Sequence, residues 1–319
     1  MKTQNLFAIA FFALLFSSCK NQGTKKVEES KIEESKIENS VNDALAVEKD
    51  SVVIQEIHKE YYGLYSGEFS GKYMEQYADS PDESYVSWDT KRLTIKINRI
   101  TTDSVYGQSI VNGNQRPFRG VFNESKKSFV LDEPGDDKTD GRFELKLISD
   151  SLNGSWNAYK KSAVKAPNKT LKLVKKEFVY NPNFMIDEYT DLVDWESEKV
   201  ITQKETNTET GETETYNVSV NRSPSEAVFE LNASKQKLTE KDLKNLRKLD
   251  LEIIKNSVYA RHGYSFKKPT FRYFFEQTNW YIPVSDNVEA EITPMEKENI
   301  LLLSRFIKYA EDKYDYFGR

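Results

Sequence analysis

One cysteine, Cys19, and two histidines, His58 and His262, are all that the 319 residues contain of those types. A single thiol rules out an internal disulfide or a dithiol redox couple. It also leaves too few ligands for a zinc site built from Cys and His. No serine elbow, phosphate loop or His-Glu-x-x-His pattern occurs, so the motif-borne routes to hydrolysis and phosphoryl transfer are missing and no cofactor is implied. Net charge is -5 with no long block of one sign, which argues against nucleic acid as a partner. Aromatic residues are absent between Phe16 and Tyr61, so that stretch cannot nucleate a core.

What is present begins at the N-terminus. Lys2 precedes the apolar run Leu6–Phe16, and Phe16-Ser17-Ser18-Cys19 follows. A charged start, a short greasy stretch and a small-residue exit make a secretory signal, and the run is well short of the ~20 residues that span a bilayer. The pattern resembles the lipobox of bacterial lipoproteins, departing from it at Phe16, where a small or branched residue is usual. The resemblance implies a signal peptide over residues 1–18, cleavage before Cys19, and anchoring to the membrane by acyl chains such as palmitate on Cys19. Lys20 in place of an aspartate resembles the signature of lipoproteins sent to the outer membrane in some diderm bacteria, facing the periplasm or the surface.

Residues 19–58 read as a disordered tether. Three near-copies, Lys26-Val-Glu-Glu-Ser, Lys31-Ile-Glu-Glu-Ser and Lys36-Ile-Glu-Asn-Ser, put an apolar residue every fifth position. At about 100° per residue each is turned ~140° from the last, so no seam forms. Such a segment buries too little to offset the entropy of ordering.

Residues 59–177 change to a period of two. Leu93, Ile95 and Ile97 alternate with Thr94 and Lys96, Phe143, Leu145 and Leu147 alternate with Glu144 and Lys146, and Leu171 and Leu173 flank Lys172. Asn112-Gly113-Asn114, Asp140-Gly141 and Asn153-Gly154 supply turn signals. About eight short strands at hairpin spacing predict an antiparallel meander, closed as a barrel or half-open and wrapped on itself. Its rhythm resembles small lipocalin-like barrels, which would imply a carrier of a small apolar ligand. Trp156 and Phe118 could line such a pocket or fill the core. Asp136-x-Lys138-x-Asp140-Gly141 imitates a calcium loop but places lysine where an oxygen ligand is needed, so it reads as a solvated turn. Residues 178–234 form a connector, in which Thr208–Thr213 is either a hairpin tip or a polar loop.

Residues 235–313 are helical. Thr239 with Asp242, Asp250, Pro269-Thr270 and Thr293-Pro294-Met295-Glu296 mark four helix starts, so the fold class is α+β in two domains. Inside the bundle lies Tyr259-Ala260-Arg261-His262-Gly263, followed by Phe274-Phe275 and Asn279-Trp280-Tyr281. This resembles the YARHG domain, an extracytoplasmic module found on bacterial envelope proteins and without an assigned molecular function, so no catalytic residue carries over. Gly263 is placed to end the second helix and Arg261 to anchor its turn through carbonyls or a carboxylate such as Glu276 or Glu296. His262 is expected nearer solvent. Alternatively Arg261 and His262, with Trp280 and Tyr281, form a surface that grips an anionic group. The resulting expectation is a non-catalytic envelope lipoprotein that binds an envelope protein or peptidoglycan.

Overall fold

A computed structural model describes residues 55–313. The signal segment, Cys19 and nearly all of the tether lie outside the described residues. Eight antiparallel strands follow: β1 (Gly63–Gln76), β2 (Ser84–Ile100), β3 (Val105–Val111), β4 (Asn114–Asn123), β5 (Ser128–Asp132), β6 (Gly141–Ile148), β7 (Ser151–Ala158) and β8 (Asn168–Lys176). Each pairs with the next, and β8 returns to β1 with Leu171 opposite Phe69, closing the barrel. Of the two sheet forms the alternation allowed, the closed one is formed. Closure leaves no sheet edge along the paired segments.

Alternation places the apolar set inside. Leu93, Ile95, Ile97, Phe129, Leu131, Phe143, Leu145, Trp156, Leu171 and Leu173 are buried in one cluster with Tyr65 and Phe69. Trp156 and Phe118 therefore belong to the core. One end of the barrel is plugged by Ile57, Tyr61 and Tyr62, which pack on that cluster. There Tyr62 donates to the Ile100 carbonyl at 3.2 Å and accepts from the Ile100 amide at 2.8 Å.

One turn signal misled. Asn153-Gly154 lies within β7, and the chain reverses instead at Ser149-Asp150. Gly154 is there because β6 approaches closely: a Cβ at this position would sit 2.0 Å from the Glu144 carbonyl oxygen.

The connector does contain a hairpin, β9 (Asp194–Thr206) paired with β10 (Thr213–Arg222). Five helices follow: α1 (Ala227–Glu230), α2 (Glu240–Leu243), α3 (Lys248–Arg261), α4 (Pro269–Glu276) and α5 (Pro294–Lys313). The one-turn α1 is additional to the four expected. The cap signals act as read. The Thr239 amide and hydroxyl both donate to Asp242, at 2.8 and 2.7 Å, and the Arg247 amide donates to Asp250 at 2.8 Å. The Thr293 amide donates to Glu296 at 2.9 Å.

Buried polar bonds tie the parts together. Arg222, 3% exposed, donates to Asp194 at 2.5 Å and to Glu252 of α3 at 3.1 Å. Thr270 of α4 donates to the other Asp194 oxygen at 2.8 Å. The hairpin base is thus pinned on two helices by a satisfied ion cluster, the condition under which buried charge is tolerated. Barrel and helices meet at Arg92 on β2. Its guanidinium donates to the carbonyls of Glu276 and Tyr281, each at 2.5 Å, and of Thr278 at 3.0 Å. The first and third of these close α4, where unpaired carbonyls concentrate negative charge.

Candidate functional site

The signature pentapeptide forms the last turn of α3 and its exit. Gly263 adopts φ +75°, and a Cβ there would meet Val284 Cγ2 at 2.5 Å and the Ile282 carbonyl oxygen at 3.0 Å. Glycine is required on both counts. The expected left-handed stop is therefore present.

Arg261 and His262 are not at the surface. They are 2% and 5% exposed, and both are turned onto the chain that leaves the barrel. Arg261 donates from Nε to the Phe184 carbonyl at 2.6 Å, from Nη1 to Ser234 Oγ at 3.2 Å, and from Nη2 to Met185 Sδ at 3.4 Å. Burial pulls its guanidinium down to about 10, with Glu296 and Tyr180 opposing, so it remains a cation at neutral pH. Of the two anchors expected for Arg261, carbonyl or carboxylate, the carbonyl is the one formed. Glu296 is taken by His262 instead, with Nε2 2.9 Å from Oε2. The His262 ring also stacks on Tyr180, centroids 4.3 Å apart, and Tyr180 donates to the second Glu296 oxygen at 3.0 Å. His262 is thus enclosed by an aromatic ring and a carboxylate, the opposite of the solvent-side placement its position beside a glycine suggested.

Glu296 itself is 0% exposed. Burial alone would raise its carboxyl, but hydrogen bonds from His262, Ser234 and Thr293 outweigh it and bring the group down to about 2.

Trp280 joins the same arrangement. It stacks on Phe184 at 5.4 Å and donates from Nε1 to the Met185 carbonyl at 2.8 Å. Arg261, His262 and Trp280 therefore close on one segment, Tyr180–Met185, and hold it by its backbone carbonyls and its aromatic rings. Sequence reasoning passed over that segment. Its signal was the run Phe178-Val-Tyr-Asn-Pro-Asn-Phe-Met-Ile186, apolar in an otherwise polar connector.

Tyr281 points elsewhere. Its hydroxyl donates to the Tyr264 carbonyl at 2.7 Å, and the residue lines an open cleft of ≈ 610 Å³ between the barrel wall and the end of α4. On the barrel side Arg92, Lys172 and Lys176 border it, and on the helical side Tyr273, Glu276 and Asn279. Lys172 and Lys176 are exposed. Burial pushes the Glu276 carboxyl up to about 7, against the pull of Arg92, Arg272 and Lys91. A second groove, of ≈ 480 Å³, runs beside Tyr259, Tyr264, Lys255 and Glu289. Of the four residues proposed from sequence as binding groups, three form the internal clamp and only Tyr281 reaches a cleft. No group of three His, Cys, Asp or Glu able to hold a metal occurs among the described residues. Nor is any helix among them long and apolar enough to cross a membrane.

Residues 226–306 match the family described as the YARHG domain. The matched stretch takes in α1 to α4, most of α5 and the whole signature, and it excludes the barrel and the clamped Tyr180–Met185. No curated protein and no solved structure matches the chain.

Proposed function

We propose that the protein is a non-catalytic envelope lipoprotein, anchored through acylated Cys19, that binds a carboxylate-bearing segment of an envelope partner in the cleft between barrel and helices. The carrying observation is the cleft itself. It has a volume typical of ligand sites, it is built from both modules, and its barrel wall bears Lys172 and Lys176, which form no ion pair among the described residues. The YARHG match points to an envelope module, in keeping with the Phe16-Ser17-Ser18-Cys19 exit. A filled barrel interior favours recognition by the outer surface over carriage of a fatty ligand. The buried clamp favours a structural duty for Arg261 and His262: it fixes the helices on the chain leaving the barrel and so sets the cleft width. Glu276 makes recognition pH-dependent, since its protonation below about 7 removes a negative charge facing an anionic ligand.

The test is retention of the purified chain on isolated peptidoglycan and on detergent-solubilised envelope protein, with Lys172→Glu/Lys176→Glu as comparison. Retention by either material that the double variant loses, at unchanged melting temperature, supports the reading. Equal retention of parent and variant contradicts it. Cys19→Ser should move the protein from the membrane to the soluble fraction. A variant that stays with the membranes contradicts the anchor.

A further inference from the structure

The second end of the barrel is built differently from the plugged one. Inward positions that are apolar in the middle layers become charged there: Asp89 precedes Leu93 on β2, Lys169 precedes Leu171 on β8, Arg116 precedes Phe118 on β4, and Glu133 follows Leu131 past β5. All four line a pocket of ≈ 140 Å³ whose floor is the aromatic group Phe69, Phe143 and Trp156. Phe69 and Trp156 meet edge to face at 5.6 Å, and Phe143 lies 6.4 Å from Phe69. A barrel end that needed only closing could have been plugged with aromatics, as the opposite end is.

The charges are arranged for a ligand with two poles. Lys169, 7% exposed, pairs with Asp89 and lies over the Phe69 ring at 4.7 Å. Arg116 uses Nε and Nη2 on Asp140 and Asp136, at 2.6 to 3.0 Å. Its Nη1 makes no hydrogen bond among the described residues. Glu133, also 7% exposed, is held by Ser109 at 2.5 Å, the Gly141 amide at 2.9 Å and Trp156 Nε1 at 3.2 Å. Two cations, Lys169 and Arg116, and two carboxylates, Asp89 and Glu133, line this mouth, so a guest carrying both signs meets a counter-charge for each.

Size narrows the guest further. An enclosed apolar cavity of about 150 Å³ takes a molecule the size of benzene, which is about six heavy atoms. We propose that this end of the barrel is a binding site for a small zwitterionic amino acid, of alanine or serine size. Its carboxylate would face Arg116 and Lys169. Its ammonium would donate towards Asp89 and Glu133, and its short side chain would rest on the aromatic floor. The pocket shares no residue with the cleft between barrel and helices, so either site can fail without the other.

The experiment is calorimetric titration of the full chain with L-alanine, D-alanine and L-serine. Propionate and ethylamine each supply one pole only, and phenylalanine exceeds the pocket. Saturable binding of at least one of the small amino acids is expected, with each single-pole compound weaker by about tenfold or more, the effect of one lost charged hydrogen bond. Asp89→Asn and Arg116→Gln should each weaken binding by a similar factor. Their melting temperatures without ligand report separately on folding. The proposal is overturned if none of the three amino acids binds. It is equally overturned if propionate, ethylamine or phenylalanine binds as well as they do, or if Arg116→Gln leaves affinity unchanged.

Discussion

Glu296 couples the stability of the helical module to pH, and the sign follows from its surroundings. The carboxyl sits at about 2 in the folded protein and near 4.5 when the chain is unfolded. A depressed folded value means that the group contributes stability above 4.5 and loses it as pH falls towards 2. The difference of roughly 2.5 units, at about 1.4 kcal/mol per unit, corresponds to about 3 kcal/mol at neutral pH. About 2 kcal/mol of it should be gone at pH 3, by which point the unfolded-state carboxyl is protonated. Urea unfolding of the parent and of Glu296→Gln across pH 7 to 3 isolates this group, since other carboxylates contribute alike to both proteins. The parent should be the more stable at pH 7, and the gap should narrow by about 2 kcal/mol by pH 3. A gap that stays constant over that range would refute the reasoning, because the bonds from His262 and Thr293 would then not be holding an ionised carboxylate.

Three other outcomes follow from the clamp and the cleft. Arg261→Ala strands the Phe184 carbonyl and Ser234 hydroxyl in the interior, at about 1–3 kcal/mol each, and should lower the melting temperature by several degrees. His262→Ala removes one donor from a buried carboxylate and should cost a comparable amount; calorimetric melts that place His262→Ala within a degree of the parent would contradict the buried pair. Glu276 has the opposite sign to Glu296: its folded value of about 7 exceeds 4.5, so its ionisation costs stability as pH rises between those values. Glu276→Gln should therefore be more stable than the parent at pH 8, by up to about 3 kcal/mol, and equal to it at pH 4, with thermal melts at the two pH values as the check. A fragment of residues 178–319 should give a cooperative helical melt. One of residues 234–319 should not, because it lacks Tyr180, Phe184, Met185, Asp194 and Arg222; a cooperative melt of the shorter piece by circular dichroism would count against the clamp.

The barrel was legible because alternation is a local property: Leu93-Thr-Ile-Lys-Ile97 states its inward face without reference to any other strand. Helix starts were legible for the same reason, since Thr293 and Glu296 complete their bonds within one turn. The site was less so. Arg261 and His262 are adjacent to a glycine stop, which suggests exposure, yet their partners Phe184 and Tyr180 lie far earlier in the chain and no periodicity announces them. Arg92 sits beside the inward Leu93 in an alternating strand, and nothing local to it marks the carbonyls at the end of α4 that it meets. The inward-facing Lys169 and Glu133 break an apolar alternation that their neighbours keep, and that break was the one local signal of the polar barrel mouth. Asn153-Gly154 misled because a glycine needed for close strand approach has the same letters as a turn.

The central claim is that the signature residues hold the fold while the cleft beside them does the binding. Measuring melting temperature and envelope retention together, on Arg261→Ala and on Lys172→Glu/Lys176→Glu, tests it directly. The account predicts that the first variant melts several degrees lower, and that the second melts like the parent and loses retention. An Arg261→Ala protein as stable as the parent that no longer binds would contradict it, and the motif would then be the recognition site.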